Sequence, residues 1–190
     1  MPLSDPIRVI NKVAQIFQKH GIDYLVGGSL ASSLHGIPRA TQDVDIVADL
    51  SGKDIGKIAE LLSVGFFVDE EMMKKAVSRK ASFNIIEKEN IFKVDIFVMG
   101  FDEASITEMS RRVPYQINDD NQSVYICSAE DIIAHKLYWY KLAEGISERQ
   151  WNDALNVIKV QKNRLDIEYL KQVCSARGVT ELLEKALQSL

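Results

Sequence analysis

The sequence predicts an α+β fold, with a mixed-sheet α/β domain over residues 1–127 and a C-terminal helical domain over residues 128–190. Two observations support this division. Short apolar strands alternate with amphipathic helices up to Cys127, whereas only segments of helical period follow from Ser128 onward. At 190 residues the chain is long enough to bury a sizeable core, and we find no internal repeat or low-complexity tract.

The composition excludes several classes of protein. Apolar residues make up 46% and charged residues 26%, which is ordinary for a globular chain. The net charge of −4 gives no bulk attraction to nucleic acids or membranes, so a site for either must be a local patch. Cys127 and Cys174 are too few and too far apart for a metal knuckle or a disulfide framework. With no membrane-length apolar run and no signal-peptide pattern, we predict a cytoplasmic protein that contacts no membrane.

The first domain is predicted to begin with a helix capped by Ser4 and ended by Gly21. The apolar stretches "IDYLVGG" and "DVDIVADL" predict two buried strands, with a small-residue helix over residues 29–35 between them. Helices are expected over 53–64 and 70–79. "SFNIIE" and "IFKVDIFVM" predict a hairpin, and "RVPYQI" and "SVYIC", joined by "NDDNQ", a further strand pair.

The second domain is predicted to be entirely helical. Gly145, Asp166 and Gly178 separate its segments, and the predicted helices cover residues 129–144, 147–162, 167–177 and 179–189.

Asp43 and Asp45 are unusual because they lie within an otherwise apolar strand. Alternate strand residues point to the same face, so the two carboxylates project together while Val44 and Ile46 point into the core. Two adjacent carboxylates repel each other and need compensation. Oxygen ligands without nearby His or Cys suit Mg²⁺ or Mn²⁺, and Asp95, in a later apolar strand, offers a third carboxylate.

A glycine turn, Gly27–Gly28–Ser29, precedes this acidic strand. Glycines allow the backbone to approach a ligand closely, and the helix that begins near Ser29 presents free N–H groups to an anion. A helix end that binds phosphate, close to a carboxylate pair that binds metal, is the arrangement phosphoryl transfer requires. Each feature alone has a purely structural interpretation, as an ordinary turn or as surface residues of a strand. Their combination in this order indicates a site.

These residues resemble a known family. "LVGGSLASSLHGIPRATQDVDI" together with "KVDIF" is similar to the nucleotidyltransferase superfamily that includes DNA polymerase beta and small bacterial nucleotidyltransferases. The segment "HGIPRAT" and the tail "SAEDIIAHKLYWYKLAEGISERQWNDALNVI" resemble the branch of abortive-infection toxin nucleotidyltransferases found in toxin–antitoxin systems. The resemblance covers Tyr24 to about Ile158. It implies a sheet with helices packed against it, and transfer of a nucleoside monophosphate from an NTP to an acceptor.

The resemblance also implies roles for individual residues. Gly28 and Ser29 would contact the triphosphate, with Gly27 in the same turn, and Asp43 and Asp45 would hold two metal ions. Asp95 would be the third metal ligand and would help to deprotonate the acceptor hydroxyl.

The resemblance extends to the helical tail. Lys136 would reach the triphosphate, and Asp153 would be the late acidic residue of the toxin-type motif. Arg39, beside the Asp pair, is a candidate for phosphate binding. The family pattern has Arg or Lys directly before the final Asp, where this chain has "QWND" with Arg149 one turn earlier, so the role of Arg149 is open. We interpret His35, at a helix end, as a capping or packing histidine.

Three functions are compatible with the sequence. The first is an active, metal-dependent nucleotidyltransferase whose acceptor is an RNA such as tRNA, a partner protein or a small molecule. The second is a nucleotide-binding regulatory or antitoxin-like module without turnover. The third, a two-metal nuclease or phosphohydrolase, leaves the glycine turn without a role. All three acidic positions of the family pattern carry an aspartate in this chain, which favours the active nucleotidyltransferase.

Overall fold

The computed structural model describes residues 4–53, 55–117 and 122–189. The chain divides into two compact units, Met1–Leu30 with Ala40–Ile126, and Ala31–Arg39 with Cys127–Leu190. The cap predicted at the Ser4 side chain and the turn predicted over 118–121 lie outside what is described. Within the described ranges, no helix combines the length and the apolar character needed to cross a membrane.

The first unit is built on a seven-stranded mixed sheet. Its strands in chain order are β1 (Tyr24–Val26), β2 (Asp43–Ala48), β3 (Phe66–Phe67), β4 (Ser82–Glu87), β5 (Lys93–Val98), β6 (Val113–Gln116) and β7 (Ser123–Ile126). In space the order is β3-β4-β5-β2-β1-β7-β6. The β2–β5 and β1–β7 pairs are parallel, and the other neighbouring pairs are antiparallel.

The helices in this part of the chain are α1 (Ser4–Lys19), α2 (Gly28–His35), α3 (Ile55–Ser63), α4 (Glu70–Arg79) and α5 (Glu103–Ser110). The boundary between the two units falls within α2. α4 shows why these segments are helical: the Asp69 carboxylate accepts a hydrogen bond from the Met72 N–H at its start, and Lys80 adopts the left-handed conformation at its end.

The central sheet has one face covered by helices. Val44, Ile46, Val94 and Ile96 are fully buried on this face. The same face of β4 carries Glu87, which is bonded to α1 and so fixes the side on which that helix lies. Because side chains alternate along a strand, Asp43, Asp45 and Asp95 belong to the opposite face.

The second unit contains four further helices along its described residues: α6 (Ala129–Leu142), α7 (Glu148–Gln161), α8 (Ile167–Ala176) and α9 (Thr180–Gln188). Ser128 caps α6 by accepting a hydrogen bond from the Asp131 N–H. The Tyr169 hydroxyl of α8 donates to the buried Asp131 carboxylate at 2.7 Å, which ties α8 to α6. The predicted α+β fold, with a mixed sheet followed by helices, is confirmed.

Candidate functional site

The first unit carries an acidic face formed by three carboxylates on two neighbouring parallel strands. Asp45 of β2 is paired in register with Asp95 of β5, and Asp43 with Lys93. Residues paired in register point to the same face, and neighbouring strands lie about 4.8 Å apart. The sequence-based prediction that Asp95 joins Asp43 and Asp45 on one face therefore agrees with the register. We call Asp43, Asp45 and Asp95 the acidic face.

The glycine turn packs directly against this face. Gly28 has a positive φ of 58°, and a Cβ placed there would lie 2.6 Å from Cγ of Asp45. The Gly27 N–H donates to the Asp45 carbonyl oxygen at 2.9 Å. The structure distinguishes the two glycines, because a Cβ at Gly27 would meet no atom within 4 Å. Only Gly28 is required as glycine by the backbone and by the space beside Asp45.

Thr41 orients the first carboxylate. Its hydroxyl is buried and lies 3.1 Å from both the carbonyl oxygen and Oδ1 of Asp43, and it donates to one of them at a time. Thr41 therefore contacts a candidate metal ligand directly.

Lys93 is a cation on the acidic face that sequence reasoning missed. Its ammonium nitrogen lies 2.7 Å from Oδ2 of Asp95. The hydrogen bond to Asp95 raises the pKa of Lys93, partial burial opposes that effect, and the charges of Asp95, Asp43 and Asp45 add to it. Since Lys93 lies two residues before Asp95, strand alternation alone would have placed both on one face.

The acidic face fits a divalent metal ion. Its ligands are carboxylate oxygens, the donor type that Mg²⁺ and Mn²⁺ prefer. Because Gly28 has no side chain, its backbone lies directly against the Asp45 carboxylate. This donor set would suit a hard cation, and the start of α2, which packs against Asp45, is where an anion would bind.

The second unit holds a compact ion cluster formed by Arg39, Lys136 and Asp153. Nε and an Nη of Arg39 donate to the two oxygens of Asp153, both at 2.8 Å, and Nζ of Lys136 lies 2.9 Å from Oδ2. The Lys136 side chain is only 4% and that of Asp153 only 6% exposed. The cluster carries one positive charge in excess, and it joins three segments that are far apart in the sequence.

Burial and charge act in opposite directions on this cluster. Burial lowers the pKa of Lys136, while Asp153 raises it and the charges of Arg39 and Arg149 lower it further. Burial raises the pKa of Asp153, but the hydrogen bond from Arg39 and the charge of Lys136 outweigh burial, and the net pKa is lowered. Asp153 is therefore held as a carboxylate between two cations. The charge of Arg149 is the smallest of the influences that lower the pKa of Lys136, and the role of Arg149 stays open.

His35 has a structural role in the second unit, in agreement with its interpretation as a packing histidine. Its Nε2 lies 2.7 Å from the carbonyl oxygen of Cys127, and the Gln161 side chain donates to the His35 carbonyl at 2.7 Å. A Cβ at Gly36 would lie 3.0 Å from the backbone nitrogen of Val157, so the chain after α2 packs tightly on α7. These contacts fix the segment that leads to Arg39.

The predicted site residues thus fall into two groups. The first unit brings together the acidic face and the turn of Gly27, Gly28 and Ser29. The second unit brings together Arg39, Lys136 and Asp153. The pairing of Arg39 with Asp153 was not predicted, and no local signal could have revealed it because 114 positions separate the two residues.

Comparison with known proteins gives no match by sequence, since no protein-family model matches the chain and no curated protein does either. Solved structures do match. The crystal structure of ANT(2'')-Ia in complex with adenylyl-2''-tobramycin superimposes with a TM-score of 0.58 at 16% identity, over 91% of this chain and 97% of that one.

Two further solved structures are similar to this chain. An antigenic nucleotidyltransferase-like protein from Paracoccidioides brasiliensis matches with a TM-score of 0.57 at 19% identity, over 99% of this chain and 95% of that one. A putative nucleotidyltransferase from Thermotoga maritima matches with a TM-score of 0.53 at 17% identity, over 80% and 96%. These similarities span nearly the whole of each solved chain. The protein therefore has the nucleotidyltransferase fold.

Proposed function

We propose that this chain is a metal-dependent nucleotidyltransferase that transfers a nucleoside monophosphate from an NTP to an acceptor hydroxyl. The observation that carries the proposal is the acidic face on β2 and β5 with the Gly28 turn packed against Asp45. In this proposal the start of α2 binds the anion and the neighbouring carboxylates bind a hard cation, and the nucleotidyltransferase fold supports the same assignment.

The triphosphate would bind at the start of α2. The start of a helix carries partial positive charge, which favours a bound phosphate beside Gly28 and Ser29. Gly27 would let the backbone come close to the same phosphates. These contacts hold the NTP in one orientation, and orientation supplies a large part of the rate in phosphoryl transfer.

Asp43, Asp45 and Asp95 would hold the metal. Bound Mg²⁺ or Mn²⁺ would neutralise charge on the triphosphate. Thr41 keeps the Asp43 carboxylate in place through its hydroxyl, which reduces the reorganisation needed on binding.

The proton of the acceptor hydroxyl would pass to the Asp95 carboxylate. The acceptor oxygen then forms a bond to the α-phosphorus, the bond from the α-phosphorus to the bridging oxygen breaks, and pyrophosphate leaves. The products are the nucleotidylated acceptor and pyrophosphate, so atoms and charge balance without a further reactant.

Arg39, Lys136 and Asp153 are proposed to assist nucleotide binding. The support is the excess positive charge of their cluster, to which the nearby Arg149 adds. In this assignment Lys136 supplies charge to the triphosphate, and Asp153 is a positioning residue that fixes Arg39 and Lys136.

The acceptor is proposed to be a hydroxyl of an RNA such as tRNA, of a partner protein or of a small molecule. The complex of ANT(2'')-Ia with adenylyl-2''-tobramycin supports testing small hydroxyl-bearing molecules first. Action as one half of a toxin–antitoxin pair in a bacterial cell is part of the same proposal, and it rests on the sequence resemblance alone.

The test is label transfer from α-labelled NTPs with Mg²⁺ in the presence of total tRNA, cell lysate or aminoglycosides. The double variant Asp43→Asn/Asp45→Asn should keep the fold, because it removes mutual repulsion, yet transfer no label. Asp49→Asn, an exposed carboxylate just beyond β2, is the matched control and should transfer as the wild type does. Equal labelling by wild type and double variant would contradict the proposal. NTP binding by the wild type without labelling would favour the regulatory module.

A further inference from the structure

The acidic face contains a cation of its own. Lys93 lies on β5 on the same face as Asp95, and its ammonium nitrogen is 2.7 Å from Oδ2 of that carboxylate. Asp43 lies directly across from Lys93 on β2. The lysine thus stands between the first and third carboxylates that the proposed function assigns to the metal.

A divalent cation and the Lys93 ammonium group need the same ligand. Lys93 occupies one of the two oxygens that the Asp95 carboxylate can offer to a metal. A divalent cation held by Asp43, Asp45 and Asp95 would carry its two positive charges within a few ångströms of the Lys93 ammonium group. Repulsion between them disfavours simultaneous occupancy of Asp95.

Lys93 is able to move away. Its side chain is 48% exposed, and a lysine side chain has a flexible four-carbon stem with a strongly hydrated charge, so release into water costs little. A buried or bidentate cation such as Arg39 on Asp153 has no comparable freedom.

We propose that Lys93 is a tethered counter-cation that occupies Asp95 in the metal-free protein and is displaced when a divalent cation binds. It neutralises part of the carboxylate repulsion before the substrate arrives, and it lowers the affinity for free metal. Metal binding then depends more strongly on the triphosphate, which brings its own negative charge. This inference rests on the proposed function.

The test measures Mn²⁺ binding by titration calorimetry and by the resonance signal of free Mn²⁺, without NTP. The variant Lys93→Met keeps most of the length of the side chain and removes the charge, and it should bind Mn²⁺ about tenfold more tightly than wild type. Lys93→Arg keeps the charge and should bind as weakly as wild type. Lys75→Met removes an exposed lysine of α4 and should leave the affinity unchanged.

Thermal unfolding gives a second measurement. Without metal, Lys93→Met should unfold at a lower temperature than wild type because the three carboxylates lose their counter-charge, and saturating Mn²⁺ should abolish this difference. Unchanged or weaker Mn²⁺ binding by Lys93→Met would overturn the inference, as would equal tightening in Lys75→Met. If the variant Asp43→Asn/Asp45→Asn binds Mn²⁺ as tightly as wild type does, the metal site of the proposed function is wrong.

Discussion

Asp45 and Asp95 face each other across the parallel strands β2 and β5, in register and on the same face of the sheet. Like charges directly opposite each other on neighbouring strands destabilise a sheet. We predict that Asp45→Asn does not lower the free energy of unfolding of the metal-free protein and raises it by up to about 1 kcal/mol. Chemical denaturation measures this change. A loss of more than about 2 kcal/mol would mean that the Asp45 carboxylate is a structural group.

The contrast between Gly27 and Gly28 gives a matched pair of variants. Gly28→Ala forces a side chain into the left-handed conformation and onto the Asp45 carboxylate, so we predict a loss of about 1–3 kcal/mol in stability together with weakened Mn²⁺ binding. Gly27→Ala meets open space and should keep the melting temperature within a few degrees. Equal melting temperatures for both variants would show that the Gly28 turn is not packed against Asp45.

The ion cluster of the second unit should be sensitive to loss of its carboxylate. Asp153→Asn leaves Arg39 and the buried Lys136 without their counter-charge, and we predict a loss of about 2–4 kcal/mol by chemical denaturation. Glu184→Gln removes an exposed carboxylate of α9 and should change stability by less than about 0.5 kcal/mol. A similar small effect for both variants would contradict the observed pairing.

Arg39→Lys separates charge from geometry within the same cluster. Lysine keeps the positive charge but cannot make the two parallel hydrogen bonds that Nε and Nη of Arg39 make to Asp153. We predict an intermediate loss of about 1 kcal/mol. A loss as large as that of Asp153→Asn would mean that the geometry, more than the charge, holds Asp153.

The Glu87 carboxyl should make the free energy of unfolding depend on pH. Burial raises the pKa of this carboxyl, but hydrogen bonds from Lys12, the Asn90 N–H and Arg8 outweigh burial and lower the pKa to about 2. A folded-state pKa below the unfolded value means that this stabilisation is complete above about pH 4.5 and is lost as the pH falls toward 2.

This pH-dependent contribution of Glu87 to the free energy of unfolding amounts to at most about 3 kcal/mol. Glu87→Gln should therefore lower stability at pH 7 and flatten the profile between pH 4.5 and 2. Glu89→Gln, at an exposed partner of the same two cations, should leave most of the profile intact. A wild-type profile that is flat in this range would contradict the assignment.

The sequence predicts the acidic face well because the information is local. Alternation along "DVDIVADL" and "KVDIFV" places Asp43, Asp45 and Asp95, and the register of β2 with β5 then brings them together. Two elements were missed. β3 is only Phe66–Phe67, too short to show a period, and α5 buries little besides Met109, although Asp102 accepting from the Ser105 N–H is a recognisable cap.

The ion cluster of the second unit is harder to predict because it depends on packing between distant segments. The helical spacing around Lys136 does not show that its side chain is buried, and its burial beside Asp153 is a consequence of how α6 and α7 pack. The bond of Arg39 to Asp153 depends in turn on the tight contact of Gly36 with α7. No periodicity in the sequence encodes these distances.

The central claim is that the acidic face catalyses transfer of the α-phosphate. The most direct measurement compares NTP labelled at the α-phosphate with NTP labelled at the γ-phosphate, each incubated with wild type, Asp95→Asn and Asp49→Asn, Mg²⁺ and the acceptor mixture. Our account predicts that wild type and Asp49→Asn attach the α-label to the acceptor and release the γ-label as pyrophosphate, with at least about a hundredfold slower transfer by Asp95→Asn. Release of the γ-label as inorganic phosphate without attachment of the α-label, or full activity of Asp95→Asn, would contradict it.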